Sequence, residues 1–131
     1  MKSYKLFLEK EEEKESLDRG KAMWDDYPAA AKKSAQQALD WRKEHDDEVK
    51  AMTPTGWQRA QQLASGETLS TDVVSRMAQF NRHRKNAKVS DEHKDEPWKD
   101  NGAVAWAGWG GDAGVDWAID KMKEIEDKYK I

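Results

Sequence analysis

The sequence predicts an all-α fold, a compact bundle of about five short helices with a Trp/Gly-rich turn in its core. Three observations carry this. Apolar residues recur at spacings of three and four in segments that open on Ser, Thr or Pro and close on Gly, as capped amphipathic helices do. No run in the chain offers a pair of partner strands. Finally, residues 102–117 hold three of the seven tryptophans, five of the eight glycines and no basic residue. A tryptophan ring buries roughly 150–250 Å², so three in one short stretch should organise what packs around them.

Taken in order, residues 1–27 form a charged N-terminal segment. Tyr4, Leu6, Phe7 and Leu8 cluster ahead of Glu9 to Glu15, where five of seven residues are glutamate. This reads either as a solvated helix over 9–18 or as an arm that docks through its apolar cluster. Residues 19–26 read as a connector or second short helix. The helical domain spans 28–131. Pro28 suits a first helical turn, where a missing N–H costs nothing, and Ala31, Ala35, Ala38 and Leu39 mark the inner face of a helix to about residue 45. Thr53-Pro54 opens the next helix, with Trp57, Ala60, Gln61, Leu63 and Ala64 facing inward, and Gly66 ends it. Ser70 caps a third, striped by Val73, Val74, Met77 and Phe80 and running to Arg82-His83-Arg84-Lys85.

Residues 90–101 read as a surface loop rich in acids. In the hub, Val104 and Trp106 alternate with alanines, and context favours a short helix. Gly108, Gly110 and Gly111 then allow a sharp bend at Trp109. Asp112 is expected to cap a last helix with Val115, Ala118, Ile119, Met122, Ile125 and Tyr129 inside and Lys121 outside. A second reading of the bend is an anion nest at Gly110 and Gly111, opposed by the charge of Asp112.

Composition narrows the function. The 131 residues suit one domain, and a net charge of −3, with 37% charged residues, is not the basic excess of a nucleic-acid-binding protein. With no cysteine, thiolate zinc sites and cysteine nucleophiles are excluded. No apolar run approaches the roughly 18 residues of a membrane span, and no signal-peptide pattern opens the chain. His45-Asp46-Asp47-Glu48 carries ligand-type side chains but reads as a solvated helix end; neither metal nor cofactor is expected. Asp112 and Asp116, one turn apart, are the best carboxylate pair for catalysis, yet no nucleophile–base–orienter set accompanies them.

Arg76, Arg82, Arg84, Lys85 and Lys88 lie in a stretch free of acids between Val73 and Ser90. With His83 they form the candidate binding surface, ending the second of two helices whose outline is a helix-turn-helix. Their other role would be to stabilise a helix carboxyl end. A DNA reader would instead carry its contacts near the amino end of that second helix, which here offers Thr71, Asp72 and Ser75. The structural hub is Trp106, Trp109, Gly110, Gly111, Asp112 and Trp117.

From about Trp41 to Ala118 these pieces also carry a resemblance. Trp41-Arg42-Lys43-Glu44, Gly56 with Arg59-Ala60 and Leu63, Gly66-Glu67-Thr68-Leu69-Ser70, Val74, Arg76-Met77, Phe80 and Arg82-His83 come first. Ala105-Trp106, Trp109-Gly110-Gly111-Asp112, Gly114 and Trp117-Ala118 follow. Together they resemble a small module that recurs in bacteriophage and prophage proteins, sometimes joined to head-assembly proteins. The chain departs from that pattern at His45-Asp46-Asp47-Glu48, where a glycine-rich basic turn is typical, and at Arg84, where an acid is. The resemblance implies a phage setting, in the host cytoplasm or the virion, and brings no catalytic residue. The expected function is a non-catalytic binding or structural module acting on a virion or host protein. The alternative is a helix-turn-helix-like DNA-binding protein using residues 54–85.

Overall fold

The computed structural model describes residues 23–129, without the side chain of Tyr129; the helix expected over 9–18 and the apolar cluster Tyr4–Leu8 lie outside them. Five α-helices form the body: α1 (Ala29–His45), α2 (Pro54–Ala64), α3 (Thr71–Gln79), α4 (Asn101–Gly108) and α5 (Gly111–Tyr129). Two-residue strands β1 (Met23–Trp24) and β2 (Leu69–Ser70) pair antiparallel, with Met23 opposite Ser70 and Trp24 opposite Leu69.

Local chemistry accounts for most helix boundaries. Thr53 Oγ1 accepts from Gly56 N–H at 3.3 Å, and Ser70 Oγ accepts from Val73 N–H at 3.3 Å. Gly66, at φ +72, closes α2 in the left-handed conformation that glycine tolerates best. Two expected boundaries move. The third helix stops at Gln79, and Phe80–Asn86 continues as a 3-10 turn. Asp112 lies inside the first turn of α5 rather than ahead of it, because the helix already begins at Gly111.

Helix α1 sits at the centre, packed against α2, α4 and α5, while α3 packs on α5. Ala31, Ala35 and Ala38 are buried along it and keep the backbones close. The main core joins Leu63, Leu69, Val74, Met77, Met122 and Ile125, each fully covered and each contributing roughly 1.5–3 kcal/mol through burial. A smaller cluster of Ala38, Ala51 and Val104 is ringed by Trp41, Met52 and Trp57. Trp106 is buried at 5% exposure, whereas the rings of Trp109 and Trp117 are half-buried at the margin of the main core. The seven indoles therefore do not converge on one point: Trp117 meets Tyr27, Trp98 stacks on His45, and Trp41 and Trp57 flank the smaller cluster. Aliphatic and alanine side chains close the centre; toward the edge Trp24 and Trp57 donate their N–H groups to Thr71 Oγ1 and the Ala51 carbonyl, whereas those of Trp98 and Trp117 are buried without a hydrogen-bond partner.

Residues 23–27, ahead of the expected boundary at 28, belong to the packed unit. Tyr27 is buried, and its hydroxyl donates to the Glu67 carbonyl at 2.7 Å. Trp24 Nε1 donates to Thr71 Oγ1 at 3.3 Å. Lys121, expected outside, is only 7% exposed; its Nζ donates to Asp26 Oδ2 at 2.9 Å and stands 5.1 Å from the Trp24 ring centre. The segment thus straps α5 to the end of α2.

This strap has a pH signature. The hydrogen bond from Lys121 holds the Asp26 carboxyl below the usual aspartate range. Burial acts to lower Lys121, but the hydrogen bond and charge of Asp26 outweigh it and hold the ammonium above its ordinary value. Burial, then the charges of Asp25 and Glu67, push Tyr27 up to about 12. A depressed acid stabilises the fold above its unfolded pKa and loses that contribution as pH falls through the folded one. Raised groups contribute below their unfolded pKa and lose it as pH rises through the folded one. Thermal midpoints should therefore hold through neutral pH and fall at both extremes. Tyr27→Phe should flatten the alkaline limb and Asp26→Asn the acid limb; profiles parallel to wild type would place the effect elsewhere.

Candidate functional site: the glycine bend, its aromatic column and the adjoining groove

The bend between α4 and α5 depends on glycine at two positions. Gly110 has φ +105 and Gly111 φ +64, both in the region L side chains avoid. Ser34 Oγ on α1 donates to the Ala107 carbonyl at 3.0 Å, tying the end of α4 to the central helix. A Cβ on Gly111 would stand 2.5 Å from that same Oγ. The Gly110 N–H donates to the Ala107 carbonyl at 3.0 Å, so one amide of the expected anion nest is already engaged.

On this bend rests a column of rings and guanidinium groups. The Trp109 ring lies 4.9 Å from Phe80 at 15°, and Phe80 lies 6.0 Å from Trp106 at 25°. Arg84 covers Trp106 at 5.0 Å, and Arg59 lies 5.8 Å from the Trp109 ring centre. Offset rings at these separations attract beyond their area burial, and a guanidinium over an aromatic face adds a cation–π term. Trp106 Nε1 donates to Asp112 Oδ1 at 2.9 Å. Asp112 thus serves the hub as a hydrogen-bond acceptor, not as the helix cap the sequence suggested.

The candidate binding residues take separate places. Arg84 donates to Asp116, lies 3.5 Å from Asp112 and donates to Asn81 Oδ1 at 2.8 Å. It is part of the hub. Arg76 pairs with Asp72 at 3.0 Å, and His83 leans on Phe80 at 4.8 Å. Arg82 donates to the Gln79 carbonyl at 3.4 Å, and it, Lys85 and Lys88 are exposed. A 3-10 turn has three residues per turn, so Arg82 and Lys85 fall on one side while Arg84 faces α5.

Two expectations for chemistry meet specific surroundings. The side chains of Asp112 and Asp116 are 74% and 61% exposed and both face Arg84, so neither occupies an apolar pocket. The His45 ring stacks on Trp98 at 3.6 Å and 2°, with Glu48 3.5 Å away and itself 3.4 Å from Lys99. That cluster clasps the 46–48 turn to the 97–99 turn. Among the described residues no group of three or more His, Asp or Glu side chains is placed to hold a metal.

Beside the bend runs an open groove of about 500 Å³ between α1, residues 87–89, α4 and the start of α5. Ala30, Ser34, Ala103 and Ala107 give it walls close to the backbone, Trp41 and Trp106 supply aromatic surface, and Lys88 and Asp112 are its charged members. The groove joins hub residues with one member of the basic stretch. Sequence reading missed this junction because Ser34 and Ala30 lie some seventy residues from Ala107 and carry no motif of their own. It also missed Arg59, buried in α2.

Of helices α2 and α3, Ala60 and Leu63 of the first share the main core with Val73, Val74 and Met77 of the second. Helix α2 packs on α1 and α4, and α3 on α5. Six of the nine residues of α3, Thr71, Val73, Val74, Ser75, Met77 and Ala78, are buried. No described helix is long and apolar enough to cross a membrane. No family model, no curated protein and no solved structure matches the chain.

Proposed function

We propose that this chain is a non-catalytic, phage-encoded module that binds a protein partner, a virion component or a host protein, through the groove beside the glycine bend. The groove carries the reading: small residues expose a shaped, partly apolar wall, which suits a side chain presented by a protein segment. Lys88 in its wall, with Lys85 and Arg82 exposed nearby in sequence, favours a segment in which acidic residues flank an apolar one. The phage setting, and with it a location in the host cytoplasm or the virion, rests on the resemblance between Trp41 and Ala118.

Cross-linked capture from phage-infected and uninfected cells tests the proposal. One protein should be retained by the wild-type chain and lost with Ala107→Arg and with Lys88→Glu, while both variants stay folded by circular dichroism. Retention by all three chains, or by none, overturns it. Removing residues 1–20 should weaken capture if the N-terminal segment is a docking arm; equal capture removes the arm.

DNA binding is the second reading, and the exposed cations Arg82, Lys85 and Lys88 are what favour it. It requires affinity that falls steeply with salt and is lost in Arg82→Ala/Lys85→Ala. Against it weighs the burial of six of the nine residues of α3, which leaves little of that helix free to enter a groove. A low-salt mobility shift should therefore be absent.

A further inference from the structure

The groove beside the bend presents an apolar surface with positive charge at one side. Trp41 and Trp106 supply its rings, Ala30, Ala103 and Ala107 its shallow wall, and Lys88 its cation. Its acid, Asp112, is taken up by Arg84 at 3.5 Å and by the Trp106 N–H at 2.9 Å. Lys85 and Arg82, both exposed, precede Lys88 along the chain. A second open cleft, of about 440 Å³ between the end of α1 and α2, offers less, because the Arg42 guanidinium already covers its Trp57 ring at 4.6 Å. A segment that fits the groove therefore carries apolar side chains with acids on one side of them. Such a segment stands near the start of this chain. Tyr4, Leu6, Phe7 and Leu8 run directly into residues 9–15, five glutamates against two lysines.

Residues 4–15 lie outside the described ones, and the chain between them and the fold is long enough to reach the groove. Met23 is paired opposite Ser70, and Ala30 in the groove wall is seven residues further on, within roughly 25 Å of it at about 3.3–3.6 Å per residue. The fifteen residues from Leu8 to Met23 span up to roughly 50 Å on the same measure. A segment tethered at that length is present at an effective concentration on the order of millimolar, so weak contacts suffice to hold it. We infer that the chain's own residues 4–15 occupy the groove when no partner is bound, with the apolar cluster against Trp41 and Trp106 and the glutamates toward Lys88, Lys85 and Arg82. The regulation this provides rests on the groove being a binding site: a partner enters only by displacing the segment, and removing residues 1–20 then strengthens capture, the opposite of what an arm docked on the partner predicts.

The chain has no cysteine, so a nitroxide attached through Ser3→Cys marks the segment alone in the full chain. In nitrogen-labelled protein the amides of Ser34, Ala103, Ala107 and Lys88 should broaden severalfold more than those of Gln58 and Gln61 in the second cleft. Nitroxide-bearing protein without the nitrogen label, mixed with nitrogen-labelled wild type, should broaden none of them. Lys88→Glu and Phe7→Ser, each placed in the spin-labelled full chain, should lower the excess at the groove severalfold while amide dispersion shows the fold intact. Broadening that is strongest elsewhere or even over the surface overturns the inference, as does broadening that passes between molecules in the mixture. An excess that either substitution leaves unchanged overturns it too, and so does unfolding of Phe7→Ser, which would place that ring in the core. Partner capture plays no part in these measurements, so a failure here leaves the groove as a binding site standing, and a loss of capture leaves the docking of the segment standing.

Discussion

Gly111→Ala should lower the free energy of unfolding by about 2–4 kcal/mol, a large share of the ~5–15 kcal/mol that holds a domain of this size together. Two costs add. At φ +64 an L side chain pays about 1–2 kcal/mol for the left-handed conformation. The new methyl would also stand 2.5 Å from Ser34 Oγ and 3.1 Å from its Cβ, and forcing a packed contact apart costs about 1–3 kcal/mol. Ser34 cannot swing away freely, since its hydroxyl holds the Ala107 carbonyl at the end of α4. Urea unfolding of Gly111→Ala, Ser34→Ala and the double variant separates the two costs. The double variant should recover part of the steric cost and none of the backbone cost. A Gly111→Ala effect under about 1 kcal/mol would mean that the bend relaxes without loss, and with it the rigid wall of the groove.

The parts of this fold that could be read from sequence are those whose cause is local. Thr53, Ser70 and Gly66 act on backbone groups within three or four residues, and each does what its chemistry suggests. The stripe Val115, Ala118, Met122 and Ile125 is periodic and is buried as its period requires. What escaped depends on distant partners. Lys121 follows the polar face of α5 in sequence but is covered because Asp26 and Trp24 reach it from the other end of the chain. The β1–β2 pair is two residues long on each side, too short for any alternation to show.

The candidate site divides in the same way. Concentrated Trp and Gly marked the bend, and Trp106 is buried beside it. The partner ring Phe80, by contrast, extends the apolar stripe of α3 one residue past its end, and nothing in that stripe distinguishes a core ring from one that stacks on Trp109. The basic stretch looked continuous along the chain. In space Arg84 is withdrawn from it by Asp112 and Asp116, about thirty residues on. The charge of a segment is readable from sequence; the direction in which each charge points is not, once a helix tightens to three residues per turn.

Trp106→Ala should cost about 3–5 kcal/mol, the range for deleting a buried aromatic side chain, and more than any change to the charges around it. At 5% exposure the ring is enclosed by Phe80 and Arg84, and its N–H holds Asp112. Trp106→Phe keeps most of the apolar contact and gives up the N–H. Asp112 is exposed enough to return to water, so this change should cost only about 1 kcal/mol beyond any small loss of packing volume. Arg84→Ala should cost less than about 1 kcal/mol by itself, because its acid partners face solvent. In the Trp106→Ala background it should cost less still, since the ring it covers is gone. Chemical unfolding of these four variants would measure that coupling directly. If Trp106→Ala proved no more damaging than Arg84→Ala, the column would be surface decoration rather than the seam that sets α4, α5 and the 80–86 turn against one another. The groove, whose walls come from the same elements, would then have no fixed shape for a partner to recognise.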